Sequence, residues 1–201
     1  MENYDIWKKK VFEYFWKLCG DKALCDKMTD ISTFMKVGNG ECILEAGERT
    51  DYICLVISGL IRGFYIDASG NDITKCFSLE GDWCCGYSYL SKSPSPFYLE
   101  TIENTVLAKF DIEKSNKILE EYPVMRDKVE QLLGRILMQS EKRLLSFTAM
   151  EAKNRYLSLL KEQPELVSRA KQEHIASYIG ITPSSLSRIK KSLQLSYDNY
   201  K

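Results

Sequence analysis

Apolar residues recur along the start of the chain in steps of three and four, at Tyr4, Trp7, Val11, Phe15 and Leu18. That spacing predicts an amphipathic helix of about four turns, ended by Gly20. A second, shorter helical stretch is expected over 24–28. From about 32 to 111 the pattern changes. Segments become short, β-branched and aromatic, and Gly38, Gly40, Gly47, Gly59, Gly63, Gly70, Gly81 and Gly86 punctuate them. The runs 52–57 and 60–66 read as strands, and Asp67-Ala68-Ser69-Gly70-Asn71-Asp72 reads as the turn of a hairpin. Several short strands with regular turns predict a small all-β sandwich or barrel. Gly38-Asn39-Gly40 opens like a dinucleotide fingerprint, but the strand-like Glu41-Cys42-Ile43-Leu44 follows, with no helix N-terminus to hold a phosphate.

The helical period returns at Pro123. Val129, Leu132, Leu133, Ile136, Leu137, Leu144, Leu145 and Phe147 follow at helical spacing, with no glycine or proline from 135 to 163. Val129-Leu133-Ile136 and Leu132-Ile136-Leu137 occupy neighbouring faces, so the apolar stripe is broad enough to need cover on two sides. The simplest arrangement packs one side on the β part and the other on a second copy of the chain. A single-chain core helix is the alternative. A further helix is expected at about 150–161, followed by a break at Gln163-Pro164.

Composition narrows the class. The 201 residues fit one large domain or two small ones. Apolar residues make up 44% and charged residues 28%, enough for a packed core, which excludes wholesale disorder. The apolar run 53–57 is far short of the roughly 20 residues a bilayer span requires, so no membrane role is expected. Met1-Glu2-Asn3-Tyr4-Asp5 lacks the basic start and apolar run of a signal peptide, and a cytoplasmic location is expected.

The zero net charge hides a split. Residues 1–134 carry 16 basic against 22 acidic side chains, a net of −6, and residues 135–201 carry 12 against 6, a net of +6. Such asymmetry directs attention to a polyanion at the basic end. All seven cysteines, Cys19, Cys25, Cys42, Cys54, Cys76, Cys84 and Cys85, lie in the first 85 residues. No CxxC occurs. Adjacent Cys84 and Cys85 on one strand would point to opposite faces and bind metal poorly. Cys42, Cys54 and Cys76 read as small buried hydrophobes in strands, with a redox or cluster-sensing role as the alternative.

The stretch 171–191 fits a helix-turn-helix. Ile175 and Ile179 supply an apolar face, and Ala176 is small where a second helix crosses. Gly180 suits a left-handed helix end, Ile181 plugs the corner, Thr182 is an N-cap and Pro183 a first helical residue. Leu186 and Ile189 turn inward, which leaves Ser184, Ser185, Ser187, Arg188 and Lys191 facing out. That short, polar, basic face suits a helix in a DNA major groove. Arg188 can fork onto a guanine, while Lys190 and Lys191 are expected on phosphates. His174 is the sole histidine and stands beside an apolar face, so a histidine triad or zinc hydrolase is excluded. Glu120-Glu121 are adjacent and do not face each other on a helix. No catalytic constellation is present, and an enzyme is not expected.

This order of parts resembles the CRP/FNR family of bacterial transcription regulators. The likeness rests on Gly40-Glu41-x-Ile43-Leu44-x-x-Gly47-Glu48, on Asp51-Tyr52-Ile53, on Ile57-Ser58-Gly59-Leu60-Ile61, and on the 179–191 segment. It implies an α+β fold with an N-terminal antiparallel β-roll of jelly-roll type and flanking helices. The implied division is an effector domain over 1–118, a dimerisation helix over 119–148 and a helix-turn-helix domain over 149–201. It also implies a homodimer paired through Val129, Leu132, Leu133, Ile136 and Leu137, bound to a pseudo-palindromic double-stranded DNA site, with RNA polymerase as a further partner. The DNA-contacting set would be Thr182, Pro183, Ser184, Ser185, Ser187, Arg188, Lys190 and Lys191.

One departure bears on the effector. The cyclic-nucleotide cassette of this family has Gly-Glu and then Arg-Ser or Arg-Thr. Here Gly86 is followed by Tyr87, and no arginine occurs between Arg62 and Arg126. The expected pocket, Gly86, Tyr87, Ser88, Tyr89, Ser95, Phe97 and Tyr98, is then suited to an unknown, more apolar or aromatic small molecule, with no cofactor and no metal. The spacing of Cys19 and Cys25 does not reproduce the iron–sulfur pattern of the oxygen-sensing branch. A redox or iron–sulfur-sensing regulator, or a β-roll ligand-binding protein without DNA function, are the competing readings. Glycine-rich hairpin residues are missing between Phe147 and Lys171, so the usual β wing is not expected.

Overall fold

A computed structural model describes the backbone of Glu2–Asp198 and the side chains of residues 3–193. The elements are α1 (Glu2–Cys19), α2 (Lys22–Ile31), β1 (Thr33–Val37), β2 (Cys42–Leu44), β3 (Tyr52–Ser58), β4 (Ile61–Ile66), β5 (Asp72–Ser78), β6 (Trp83–Cys84), α3 (Tyr87–Ser91), β7 (Tyr98–Thr101), β8 (Thr105–Asp111), α4 (Ile112–Glu121), α5 (Pro123–Ala149), α6 (Ala152–Glu162), α7 (Pro164–Arg169), α8 (Gln172–Tyr178) and α9 (Pro183–Asp198). The strands make two four-stranded sheets, in the orders β1-β8-β3-β6 and β2-β7-β4-β5. This is an α+β fold with an antiparallel β core, flanking helices and a helical C-terminal part. Among the described residues no helix is long and apolar enough to cross a membrane.

The residues form two compact units, one of 1–63 with 77–136 and one of 64–76 with 137–201. In the first, β3 explains its own apolar run. Alternate side chains of a strand point to opposite faces, so a strand apolar throughout must be covered on both. Leu55 and Ile57 pack with Val11 and Phe15 of α1, Leu24 and Met28 of α2, and Ala108 and Phe110 of β8. Cys54 and Val56 turn the other way, joining Val37, Leu44, Ile61, Leu99 and Leu107 between the sheets. Each large side chain buried this way contributes about 1.5–3 kcal/mol. The second helix is longer than its apolar pattern predicts, because Asp21 caps it by accepting from the Leu24 N–H at 3.0 Å. Asp111 does the same for α4, accepting from Lys114 N–H at 2.8 Å.

Two expectations about cysteine fail here. Cys42 is exposed and Cys76 half-buried, so of the three strand cysteines only Cys54 is a buried one. Cys84 and Cys85 do not point to opposite faces. The strand ends at Cys84, and Cys85 takes a left-handed backbone with φ 63°, which brings its Sγ to 3.9 Å from that of Cys84.

In the second unit, the 64–76 hairpin is hydrogen-bonded to the C-terminal helices. Thr74 N–H donates to Ser177 Oγ at 2.8 Å, and Ser177 Oγ donates to Asp72 O at 3.3 Å. Arg143 Nη2 donates to Thr74 O at 3.0 Å and to Tyr178 O at 3.1 Å.

Candidate nucleic-acid interface and effector domain

The interface starts from how α8 ends. The Ile181 N–H reaches back to Ala176 O at 3.0 Å and the Gly180 N–H to Ser177 O at 3.1 Å. This is a Schellman closure, and it needs the left-handed φ of 72° at Gly180. Thr182 then caps α9. Its Oγ1 accepts from the Ser185 N–H at 3.2 Å and donates to Ser185 Oγ at 2.9 Å, and Pro183 follows at the first helical position. Ile175, Ala176, Ile179 and Leu186 are all buried in the angle between the two helices, and Ile181 is half-buried. His174 is buried too, a packing histidine.

With that frame fixed, Thr182, Pro183, Ser184, Ser187, Arg188 and Lys191 are exposed. Ser185 is half-buried rather than outward, because the Thr182 cap draws it in, and Lys190 is also half-buried. Arg188 Nε approaches Ser184 O at 3.4 Å, lying back along the helix it stands on. The outer face therefore offers hydroxyls on the first turn and cations further along, all clear of the α8 side.

Sequence reasoning counted Arg143 and Arg155 only as charge. Both serve inside the fold. Arg155 Nε donates to Ile179 O at 2.9 Å, at the C-terminal end of α8, and Arg143 to Tyr178 O. Their guanidiniums lie 5.1 Å and 5.0 Å from the ring centre of Phe147, Arg143 from one turn earlier on α5 and Arg155 from α6. Cations at a helix C-terminus meet its unsatisfied carbonyls. Arg169 is likewise paired with Glu165 at 2.6 Å. The basic excess of residues 135–201 is thus partly structural, and Arg188, Lys190 and Lys191 are the basic residues that fall on α9. A signal was available, since both arginines stand within a few residues of Phe147 and Met150 rather than in a basic run.

The expected dimer residues grade along α5. Val129, Leu132 and Leu133 are half-buried, whereas Ile136 is 45% and Leu137 61% exposed. Met138, Leu144 and Leu145 are exposed to a similar extent, so this stretch carries five large apolar side chains in contact with water.

The expected effector residues differ in exposure and contacts. Phe97 and Ser95 are buried, and Ser95 Oγ donates to Phe97 O at 2.8 Å, closing a turn. Tyr87, 36% exposed, meets the Phe97 ring edge-on at 5.4 Å. The Tyr89 hydroxyl donates to Asn116 Oδ1 at 2.9 Å. Ser88 is buried, with its Oγ accepting from Thr50 N–H, and Gly86 and Tyr98 are half-buried. Lys92, the one cation in this segment, is exposed with its ammonium over the Tyr89 ring at 4.4 Å, not turned inward. Sequence reasoning passed over Arg62, which is 1% exposed and bonds Glu100 at 2.8 Å. It follows the inward Ile61, as Glu100 follows the inward Leu99, so both point to the opposite face of their sheet.

Known proteins agree with this architecture. Residues 34–122 match the family model for the cyclic nucleotide-binding domain. An anaerobic regulatory protein of Haemophilus influenzae is 18% identical over 164 residues, which are 76% of this chain and 63% of that protein, so the chain spans under two thirds of that relative's length. Among solved structures, FixK2 from Bradyrhizobium japonicum superposes with a TM-score of 0.72 at 21% identity, over 83% of this chain and 86% of that one. The c-di-GMP responsive global regulator CLP of Xanthomonas campestris superposes with a TM-score of 0.71 at 15% identity, over 88% of this chain and 93% of that one. Residues 34–122 thus form a domain of the cyclic nucleotide-binding type, and the chain as a whole shares the fold of these regulators.

Proposed function

We propose that the chain is a dimeric, sequence-specific DNA-binding transcription regulator whose β-roll senses a small effector other than a cyclic nucleotide. The observation that carries the DNA reading is the Thr182-capped α9 standing beyond the Gly180 closure, with Arg188 and Lys191 on its outer face. Its N-terminal N–H groups favour phosphate, and Arg188 is long enough to read a guanine edge. Pro183 offers no side-chain donor, so the first turn depends on Ser184 and Ser185.

The exposed apolar stretch of α5 supports pairing of two copies. A two-fold axis along it would bring Ile136, Leu137, Leu144 and Leu145 onto their equivalents. Two α9 helices would then read half-sites about one DNA turn apart, near 34 Å. In functional terms 1–118 is the effector part, 119–148 the pairing helix and 149–201 the DNA reader, with RNA polymerase as the further partner.

The effector reading rests on what the cassette lacks. Tyr87 replaces the ribose-binding glutamate, Lys92 faces solvent, and Arg62 is engaged by Glu100. Burying a phosphate without a charged partner is costly. The deciding experiment is binding selection on randomised duplexes, with sedimentation of the selected complex. A two-fold symmetric motif bound by two copies is expected, and absence of any enriched motif would overturn the reading.

A further inference from the structure

The interior of the β-roll holds three thiols in one place. Cys54 lies on β3 directly opposite Cys84 of β6, and on its other side directly opposite Lys109 of β8. Directly opposed residues of antiparallel strands share a face, so Lys109, Cys54 and Cys84 make one row across three strands. Cys85 joins through its left-handed backbone, with its carbonyl held by Thr50 Oγ1 at 2.6 Å. L-residues other than glycine avoid that conformation, so the chain keeps Cys85 there against its preference. Cys54 is fully buried, while Cys84 and Cys85 keep 8% and 3% exposure. Among the described residues no group of three His, Cys, Asp or Glu is placed to hold a metal ion, so the arrangement suits reaction among the sulfurs rather than coordination.

We propose that the Cys54–Cys84–Cys85 cluster is a modification site for small hydroperoxides, which close a disulfide between Cys54 and Cys84 across β3 and β6. Opposed residues have their Cα atoms about 4.5–5.5 Å apart, inside the span a disulfide bridges. Cys84 and Cys85 are sequence neighbours, and a bond between them would close a strained eight-membered ring. Thiol hydrogen bonds from Cys84 and Cys85, with the Lys109 ammonium, hold Cys54 well below the ordinary thiol range and push its two partners up. Cys54 is therefore the thiolate that attacks.

The steps balance as follows. Cys54 Sγ attacks the outer peroxide oxygen, the O–O bond breaks, and the alkoxide or hydroxide released takes a proton, leaving a sulfenic acid. Cys84 Sγ then attacks Cys54 Sγ, giving up its thiol proton to the departing oxygen. The S–S bond forms, the S–O bond breaks, and the departing hydroxide becomes water on taking the second thiol proton. Two thiols lose two electrons and the hydroperoxide gains them. Burial keeps out bulky oxidants such as peptide disulfides, which gives the site its selectivity for small ones.

This inference rests on the regulator reading only for its output, because sulfur chemistry is read without DNA. The reduced full-length protein is treated with hydrogen peroxide, and free thiols are then alkylated and mapped by peptide mass spectrometry with fragmentation. The expected product is one crosslink between the peptides carrying Cys54 and Cys84, lighter by two hydrogens and lost on reduction, with Cys85 still alkylated. Cys54→Ser and Cys84→Ser should each abolish it, and Cys85→Ser should retain it. Melting curves of the reduced variants confirm that they are folded, and the wild-type map stands as the test whatever they show. Three fully alkylated thiols beside an oxidised, exposed Cys42 would overturn the proposal, as would a Cys84–Cys85 bond or irreversible oxidation of Cys54. If the crosslink forms while no DNA motif is ever selected, the regulator reading fails and this one stands.

Discussion

A methyl group placed on Gly180 would stand 2.6 Å from Cε1 of Phe147. The glycine is thus required twice, by its left-handed φ and by the ring against it. Gly180→Ala is expected to lose about 1–2 kcal/mol from the backbone alone, and more as Phe147 leaves its place between Arg143 and Arg155. Thermal unfolding of the full chain should show a lower midpoint, with DNA affinity reduced alongside. An unchanged midpoint would mean that the α8–α9 turn is not held as described.

Ser177 is the hydroxyl through which α8 holds Asp72 and Thr74. Removing it in Ser177→Ala should cost about 0.5–1.5 kcal/mol. Hydrogen exchange at the Thr74 amide should speed up while exchange within β3 stays as it was. Equal protection of Thr74 in both proteins would show that the Ser177 bond contributes nothing.

If two copies pair along α5 as proposed, Ile136→Glu puts a carboxylate into an apolar seam. An unpaired buried charge costs several kcal/mol, so light scattering at micromolar protein should report a monomer. A dimer of undiminished affinity would remove the seam from this part of α5.

Cyclic AMP and cyclic GMP should bind weakly or not at all. The absent arginine contact alone is worth about 1.5–3 kcal/mol, and Tyr87 follows Gly86 where the cyclic-nucleotide cassette has its glutamate. Titration calorimetry measures this directly, and micromolar heats of binding for either nucleotide would refute it.

Arg188→Ala should cost about 1–3 kcal/mol per half-site and relax preference at one base position, whereas Lys191→Ala should weaken all sequences alike and flatten the salt dependence. Selected motifs that are identical for wild type and Arg188→Ala would assign Arg188 to the phosphate backbone.

The helix-turn-helix is legible in sequence because its demands are local. Gly180, Thr182 and Pro183 act on neighbours within five residues, and Ala176 and Leu186 lie within ten of each other. The β-roll is legible as a class for a similar reason, since the unbroken apolar run of β3 implies cover on both faces. What escapes is set by tertiary partners. Nothing near Arg62 in sequence announces Glu100, thirty-eight positions on. Period-two alternation sends Cys84 and Cys85 apart, and only the reversal of φ at Cys85 brings them together. Nothing local to Ser95 and Phe97 announces that Phe97 packs in the core or that the Ser95 hydroxyl closes its own turn.

Residues 64–76 fold with the C-terminal helices, while the segments before and after them fold with the β-roll. The polypeptide therefore passes between the two units three times, at 63–64, 76–77 and 136–137. A protease nick near residue 136 leaves them still joined by both legs of the hairpin. A gene truncated at the same point strips Thr74 and Asp72 of Ser177 and Arg143, so the β-rich unit is not a cassette that one cut can lift out. Recombination that exchanges the C-terminal helices between such chains has to carry the hairpin with them, or supply another that fits α8.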